Sequence, residues 1–144
     1  MDERRDLEKH QSLVEELVQV LQEQGFLVNS ADGVEGFSSP LELHNDGYGD
    51  QEDKTPDVSA YDQSRKCYII GEAKTGAGDF ETEHALTQYN VFLDQFDKRT
   101  GMQAVLYVIV PAVKVAEFNS LITHYIHRDY WGNIVLVSSS HWKD

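Results

Sequence analysis

The chain has 144 residues, and its 25 acidic and 12 basic side chains leave a formal net charge of −13. This length is expected to make one domain, residues 1–144, with a real core, and 40% hydrophobic content excludes a disordered chain. The charge argues against tight nonspecific duplex binding by a monomer, because such affinity rests on lysine and arginine contacts to phosphate. No apolar run reaches the ~18 residues of a membrane span. The opening MDERRDLEKH is too charged for a secretory signal. A single cysteine, Cys67, rules out an internal disulfide and fits a reducing cytoplasm.

In chain order, residues 3–24 carry Leu7, Val14, Leu17, Val18 and Leu21 at helical spacing, and Gly25 is a natural stop. Phe26-Leu27-Val28 reads as a short strand. Residues 29–40 form a turn or loop, and Leu41-Glu42-Leu43-His44 a second short strand. Residues 45–55 form a loop rich in glycine and acid, with Asp46, Asp50, Glu52 and Asp53. It lacks the ligand order of a calcium loop and is read as a flap at the site entrance.

Asp57–Tyr61 alternates like a strand, and residues 62–65 turn into a strand over 66–74 that Thr75-Gly76-Ala77-Gly78 breaks. A helix is expected at about 80–97, its apolar face made by Leu86, Tyr89, Leu93 and Phe96, with an acidic first turn. Ala104–Val110 is a continuous apolar run, as in a strand buried on both faces, and Pro111 ends it. A second helix spans 112–128, with Val115, Phe118, Asn119, Ile122, Tyr125 and Ile126 inward. Ile134–Ser138 is a last strand. This order predicts an α/β fold: an antiparallel hairpin, then two crossovers, giving a mixed sheet with helices on both faces.

The chemistry concentrates in Pro56-Asp57 and Gly71-Glu72-Ala73-Lys74. Strand alternation places Tyr68, Ile70, Glu72 and Lys74 on one face. A carboxylate and an ammonium ending an apolar strand are costly to desolvate without partners. A divalent metal and a phosphate would suit them. The bland alternative is a surface ion pair, Lys74 bridging Asp57 and Glu72, which contributes little.

Pro56, Asp57, Glu72 and Lys74 resemble the signature of the PD-(D/E)xK nuclease superfamily, and the element order is similar to its αβββαβ core, with a helix and strand added at the C-terminus. The resemblance implies a restriction-endonuclease-like fold. It also implies an endonuclease or phosphodiesterase that hydrolyses DNA, with RNA as the second candidate, through a metal-activated water. Magnesium or manganese would rest on Asp57, Glu72 and the carbonyl of Ala73, and Lys74 would orient the water or offset charge on phosphorus. The superfamily often adds an acid from the first helix, with Glu8, Glu15 and Glu16 as candidates. Glu15 is favoured, because it flanks the apolar stripe while Glu16 points nearly away.

Residues 15–26 are also similar to the opening of archaeal Holliday-junction resolvases, but the resolvase acid falls on Val14. Gln88, on the helix after the motif strand, is the expected supporting polar residue, with His84 one turn earlier. The RecB-like Q-x-x-x-Y spacing is absent, since Tyr89 follows Gln88 directly.

The acidic balance keeps two rivals open. One is a catalytically silent nuclease-fold module that binds a basic partner through its acidic surface. The other is a metal-dependent hydrolase of small phosphorylated molecules. A chain this small is expected to work as a homodimer or with a protein partner supplying positive charge. Three short basic clusters stand out against the acidic background: Arg4-Arg5, Arg65-Lys66 and Lys98-Arg99. His124 and His127 lack the companions of a zinc site. Thr75-Gly76-Ala77-Gly78 lacks the lysine of a phosphate loop.

Overall fold

The computed structural model describes residues 3–43, 54–80 and 83–144, and within these the side chains of all but residues 3–6, 83, 84, 86 and 87. Helix α1 (Glu3–Glu23) is followed by strands β1 (Leu27–Ala31), β2 (Val58–Asp62) and β3 (Cys67–Ala73). Helix α2 (Glu83–Leu93), strand β4 (Val105–Val110), helix α3 (Val115–Tyr125) and strand β5 (Ile134–Ser138) complete the order. The strands lie in the sheet as β1-β2-β3-β4-β5. The β1–β2 and β2–β3 pairs are antiparallel, and the β3–β4 and β4–β5 pairs are parallel. No helix among the described residues is long and apolar enough to cross a membrane.

Each face of the sheet carries its own core. On one, Leu13, Val14, Leu17, Val18 and Leu21 of α1 pack on Val58, Ala60, Ile69 and Ala73. On the other, Tyr89 and Phe92 of α2 and Phe118 and Leu121 of α3 pack on Ile70, Leu106, Val108 and Val110. Strand β4 is buried on both faces, as its unbroken apolar run demands. Both crossovers pass over the same face, so α2 and α3 cover β3–β5 while β1, β2 and the outer part of β3 extend beyond them.

Helix α1 stops where Gly25 takes a φ of 87°. Gly25 N–H donates to the Gln22 carbonyl and Phe26 N–H to that of Leu21, the paired bonds of a Schellman end. Gly71 has a different task. A Cβ there would lie 2.9 Å from Leu17 Cδ2 and 3.0 Å from Val58 Cβ. The missing side chain lets α1 seat directly on β3, one residue before Glu72.

Several expectations need correcting. The strand at Phe26–Val28 starts one residue later and runs to Ala31. The strand at Leu41–His44 reduces, among the described residues, to one bridge between Leu43 and Lys54. His44 and the acidic loop residues Asp46, Asp50, Glu52 and Asp53 lie outside the described residues. Helix α2 ends at Leu93, not 97, and Phe96 is 53% exposed rather than core. Leu7 is exposed, and Leu13 takes the expected place on the buried stripe of α1. In α3, Asn119 and Tyr125 face outward, while Leu121 joins Phe118 and Ile122 inside. In each case the helix axis settles on the stripe with the largest apolar area to bury.

Candidate metal and phosphate site

Strand β3 ends at Ala73, and its register with β4 places Glu72 opposite Val108 and Ala73 opposite Ile109. The two strands are parallel, so their carboxyl ends open at the same edge, the side of such sheets where ligands bind. Strand β2 begins at that edge. Asp57, one residue before β2, donates its N–H to the Gly71 carbonyl and, at 3.2 Å, to Glu72 Oε1. Its own Oδ2 accepts the Ala73 N–H at 2.9 Å. The aspartate side chain therefore takes over the β2–β3 ladder where the backbone pairing stops. In a strand, a residue's N–H and C=O face the same neighbour, which sets the Ala73 carbonyl beside Asp57.

Alternation sends Glu72 and Lys74 to the α2 face, and both are buried. Lys74 Nζ lies 3.7 Å from Glu72 Oε2, donates to Gln88 Oε1 at 2.9 Å and sits 5.6 Å from the Tyr89 ring centre. Asp57, Glu72, Ala73, Lys74 and Gln88 thus converge on one notch. Side-chain exposure falls from 15% at Asp57 to 3% at Glu72, so the notch opens on the Asp57 side.

Burial, with the adjoining Asp57 carboxylate, pushes Glu72 well above the usual carboxylate range, and Lys74 offsets this only in part. Ionising both carboxyls beside one buried ammonium would leave negative charge that a bound cation would relieve. The donors are hard oxygens, which suit magnesium or manganese. Among the described residues no three His, Cys, Asp and Glu side chains form a metal-binding group. A resident ion would therefore rest on Asp57, Glu72, the Ala73 carbonyl and water.

Glu15 does not reach this notch. It is exposed and lines a small polar pocket with Ser12, Glu16, Gln19, His141 and Trp142. Glu16, expected to point away, is buried. Its carboxylate accepts the Ser139 hydroxyl at 2.6 Å, the Ser140 N–H at 2.7 Å and the Ser140 hydroxyl at 3.0 Å. These bonds hold it below the usual glutamate range despite burial. Glu16 therefore anchors the C-terminal tail across α1. The side chain of His84 lies outside the described residues.

The α1 residue that does reach the notch is His10, with Nε2 3.2 Å from Asp57 Oδ2. The hydrogen bond to Asp57 raises its pKa against the opposing effect of burial. Helical spacing contained this signal. His10 precedes Leu13 and Val14 by three and four residues, so it continues the buried stripe of α1.

No family model, curated protein or solved structure matches the chain.

Proposed function

We propose that the chain is a metal-dependent nuclease of the PD-(D/E)xK type, hydrolysing phosphodiester bonds in DNA or, as the second candidate, RNA. The observation that carries this reading is the meeting of Asp57, Glu72 and Lys74 at the carboxyl end of β3, with Gln88 bonded to the lysine. The element order, with α1 on one face and α2 on the other, supports a restriction-endonuclease-like fold whose αβββαβ core is extended by α3 and β5.

A magnesium or manganese ion held by Asp57, Glu72 and the Ala73 carbonyl would supply Lewis acidity and positive charge at the scissile phosphate. The chain's own groups do the positioning. Lys74 directs its ammonium at the notch and offsets charge on the phosphoryl oxygens, or holds the attacking water. Gln88 fixes the lysine by accepting a hydrogen bond from its ammonium. Gly71 lets α1 seat closely enough for His10 to hold Asp57. Hydrolysis by water needs no covalent intermediate, and the buried Cys67, its thiol pushed up by burial, is no candidate nucleophile.

The test is oligonucleotide and plasmid cleavage with Mg2+ or Mn2+. Activity in the wild type that falls at least 100-fold in Glu72→Ala and Lys74→Ala, about what one transition-state hydrogen bond contributes, supports the nuclease. The net charge of −13 favours, as the second reading, a silent assembly module that meets a basic partner. A wild type that binds no divalent cation by calorimetry and cleaves nothing selects that module.

A further inference from the structure

A trough of about 870 Å³ lies on the α2 face of the sheet, where β1, β2 and the outer part of β3 run past the helices. Its floor includes Ser30, Ser59, Ile70 and Tyr68. Ile70 is two residues from Glu72 within β3. In a strand, residues two apart share a face about 7 Å apart. The register pairs Ser59 with Ile70 and Tyr61 with Tyr68. The trough therefore continues the notch in consecutive rows along one face.

Two features fit this trough to a ligand. A bulge in β1, where the register slips between Val28 and Ser30, brings both Asn29 and Ser30 to the same cavity; a regular strand would turn one of them away. The second feature is charge. Lys98 and Arg99 line the trough, and Thr100, the next residue, donates its hydroxyl to the Lys66 carbonyl on the β2–β3 turn at 2.9 Å. Lys66 and the Lys98-Arg99 pair, far apart in sequence, thus meet at the end away from Asp57; Arg65 is instead bonded to Asp62 at 2.6 Å, on the α1 face that Asp62 shares with its partner Cys67. In an acidic chain this gathers three basic residues at one rim, with Arg99 held 3.5 Å from Asp97, a carboxylate that also lines the trough. Exposed Phe96 and Tyr68 line the same trough.

We infer that the trough seats an unpaired stretch of nucleic acid, its bases against Tyr68 and Phe96 and its phosphates toward Lys98, Arg99 and Lys66, with the scissile phosphate at Asp57 and Glu72. The inference rests on the nuclease reading for what happens at the notch. Aromatic faces stack on bases only where those bases are free; a duplex keeps them inside and offers edges. Four strand residues separate the Asp57 row from the Tyr61–Tyr68 row, about 13 Å, which is the reach of a few nucleotides. The substrate is thus a single strand, or the unpaired strand beside a duplex.

The test is fluorescence anisotropy of the full chain in EDTA, where binding is read without metal-dependent cleavage. The probes are a labelled oligothymidylate of about 12 nucleotides and a blunt duplex of equal length. Single-strand affinity should exceed duplex affinity at least tenfold. Phe96→Ala, at an exposed position that does not threaten folding, should weaken single-strand binding about tenfold. Lys98→Glu with Arg99→Glu should weaken it further and lower the salt slope by about 0.7 for each phosphate that is no longer neutralised. Arg128→Glu, a charge reversal on the turn before β5, should leave it unchanged.

Equal affinity for both probes, or no response to the Phe96 and Lys98/Arg99 changes, overturns the inference, even if the protein cleaves duplex DNA with metal. Single-strand binding with these responses, in a protein that cleaves nothing, upholds the trough and removes the nuclease reading instead.

Discussion

His10 of α1 and Asp57 at the tip of β2 meet at 3.2 Å, Nε2 to Oδ2, on the same oxygen that accepts the Ala73 N–H. This contact ties the helix on one face of the sheet to the edge where the candidate site opens, and it carries a pH signature. The folded pKa of His10 lies above its ordinary value, first because of the hydrogen bond to Asp57. The stabilisation is then fully present below the unfolded histidine value of about 6.5, and it is lost as pH rises through the folded value. His10→Ala is expected to cost about 1 kcal/mol at pH 5.5 and much less at pH 8.5, since the ring is a third exposed. Urea unfolding of the metal-free protein at both pH values measures this; an equal cost at both would refute the linkage.

Glu72→Gln removes a buried charge whose folded pKa is raised, first by burial and then by Asp57. A raised carboxyl pKa means that ionisation costs stability above that pKa and the cost fades as pH falls through it. The metal-free variant is expected to be more stable than wild type by about 1 kcal/mol at pH 8, with the gap closing as pH falls toward the unfolded glutamate value of about 4.3. Divalent cation should reverse the order. At 100 times its dissociation constant it adds about 2.7 kcal/mol to any protein that binds it, and the gain should appear in wild type and vanish in Glu72→Gln. A variant less stable than wild type without metal would show that Lys74 depends on Glu72 more than burial opposes it.

Gly71→Ala tests the seat of α1. Its Cβ would meet Leu17 and Val58 at 2.9 and 3.0 Å, closer than a packed core tolerates. A loss of about 1–3 kcal/mol is expected. Any cleavage activity should fall further than stability alone predicts, because the displaced helix carries His10. A melting temperature equal to wild type would show that the helix shifts freely.

Glu16→Ala leaves the Ser139 and Ser140 donors without their shared acceptor. A loss of about 2–3 kcal/mol is expected at pH 7, together with faster proteolysis of residues 139–144. The folded pKa of Glu16 is lowered, so its contribution stands above the unfolded glutamate value of about 4.3 and disappears as pH falls through the folded value. A cost that persists at pH 2.5 would assign the effect to packing rather than charge.

The local chain was enough to place Glu72 and Lys74 on one side of β3, because alternation along a strand needs nothing beyond φ and ψ. The same holds for the all-apolar β4, for the Gly25 stop, and for the alternation of strands and helices that makes the sheet mixed. The meeting of Asp57 with Glu72, the choice of His10 rather than Glu15 from α1, the burial of Glu16 and the exposure of Phe96 were decided only by tertiary structure. Each depends on which distant segment arrives at a given surface: the tip of β2, the C-terminal tail, the early end of α2. Periodicity marks the face of an element. It does not name the neighbour, because that choice minimises exposed apolar area and unpaired polar groups over the whole fold at once.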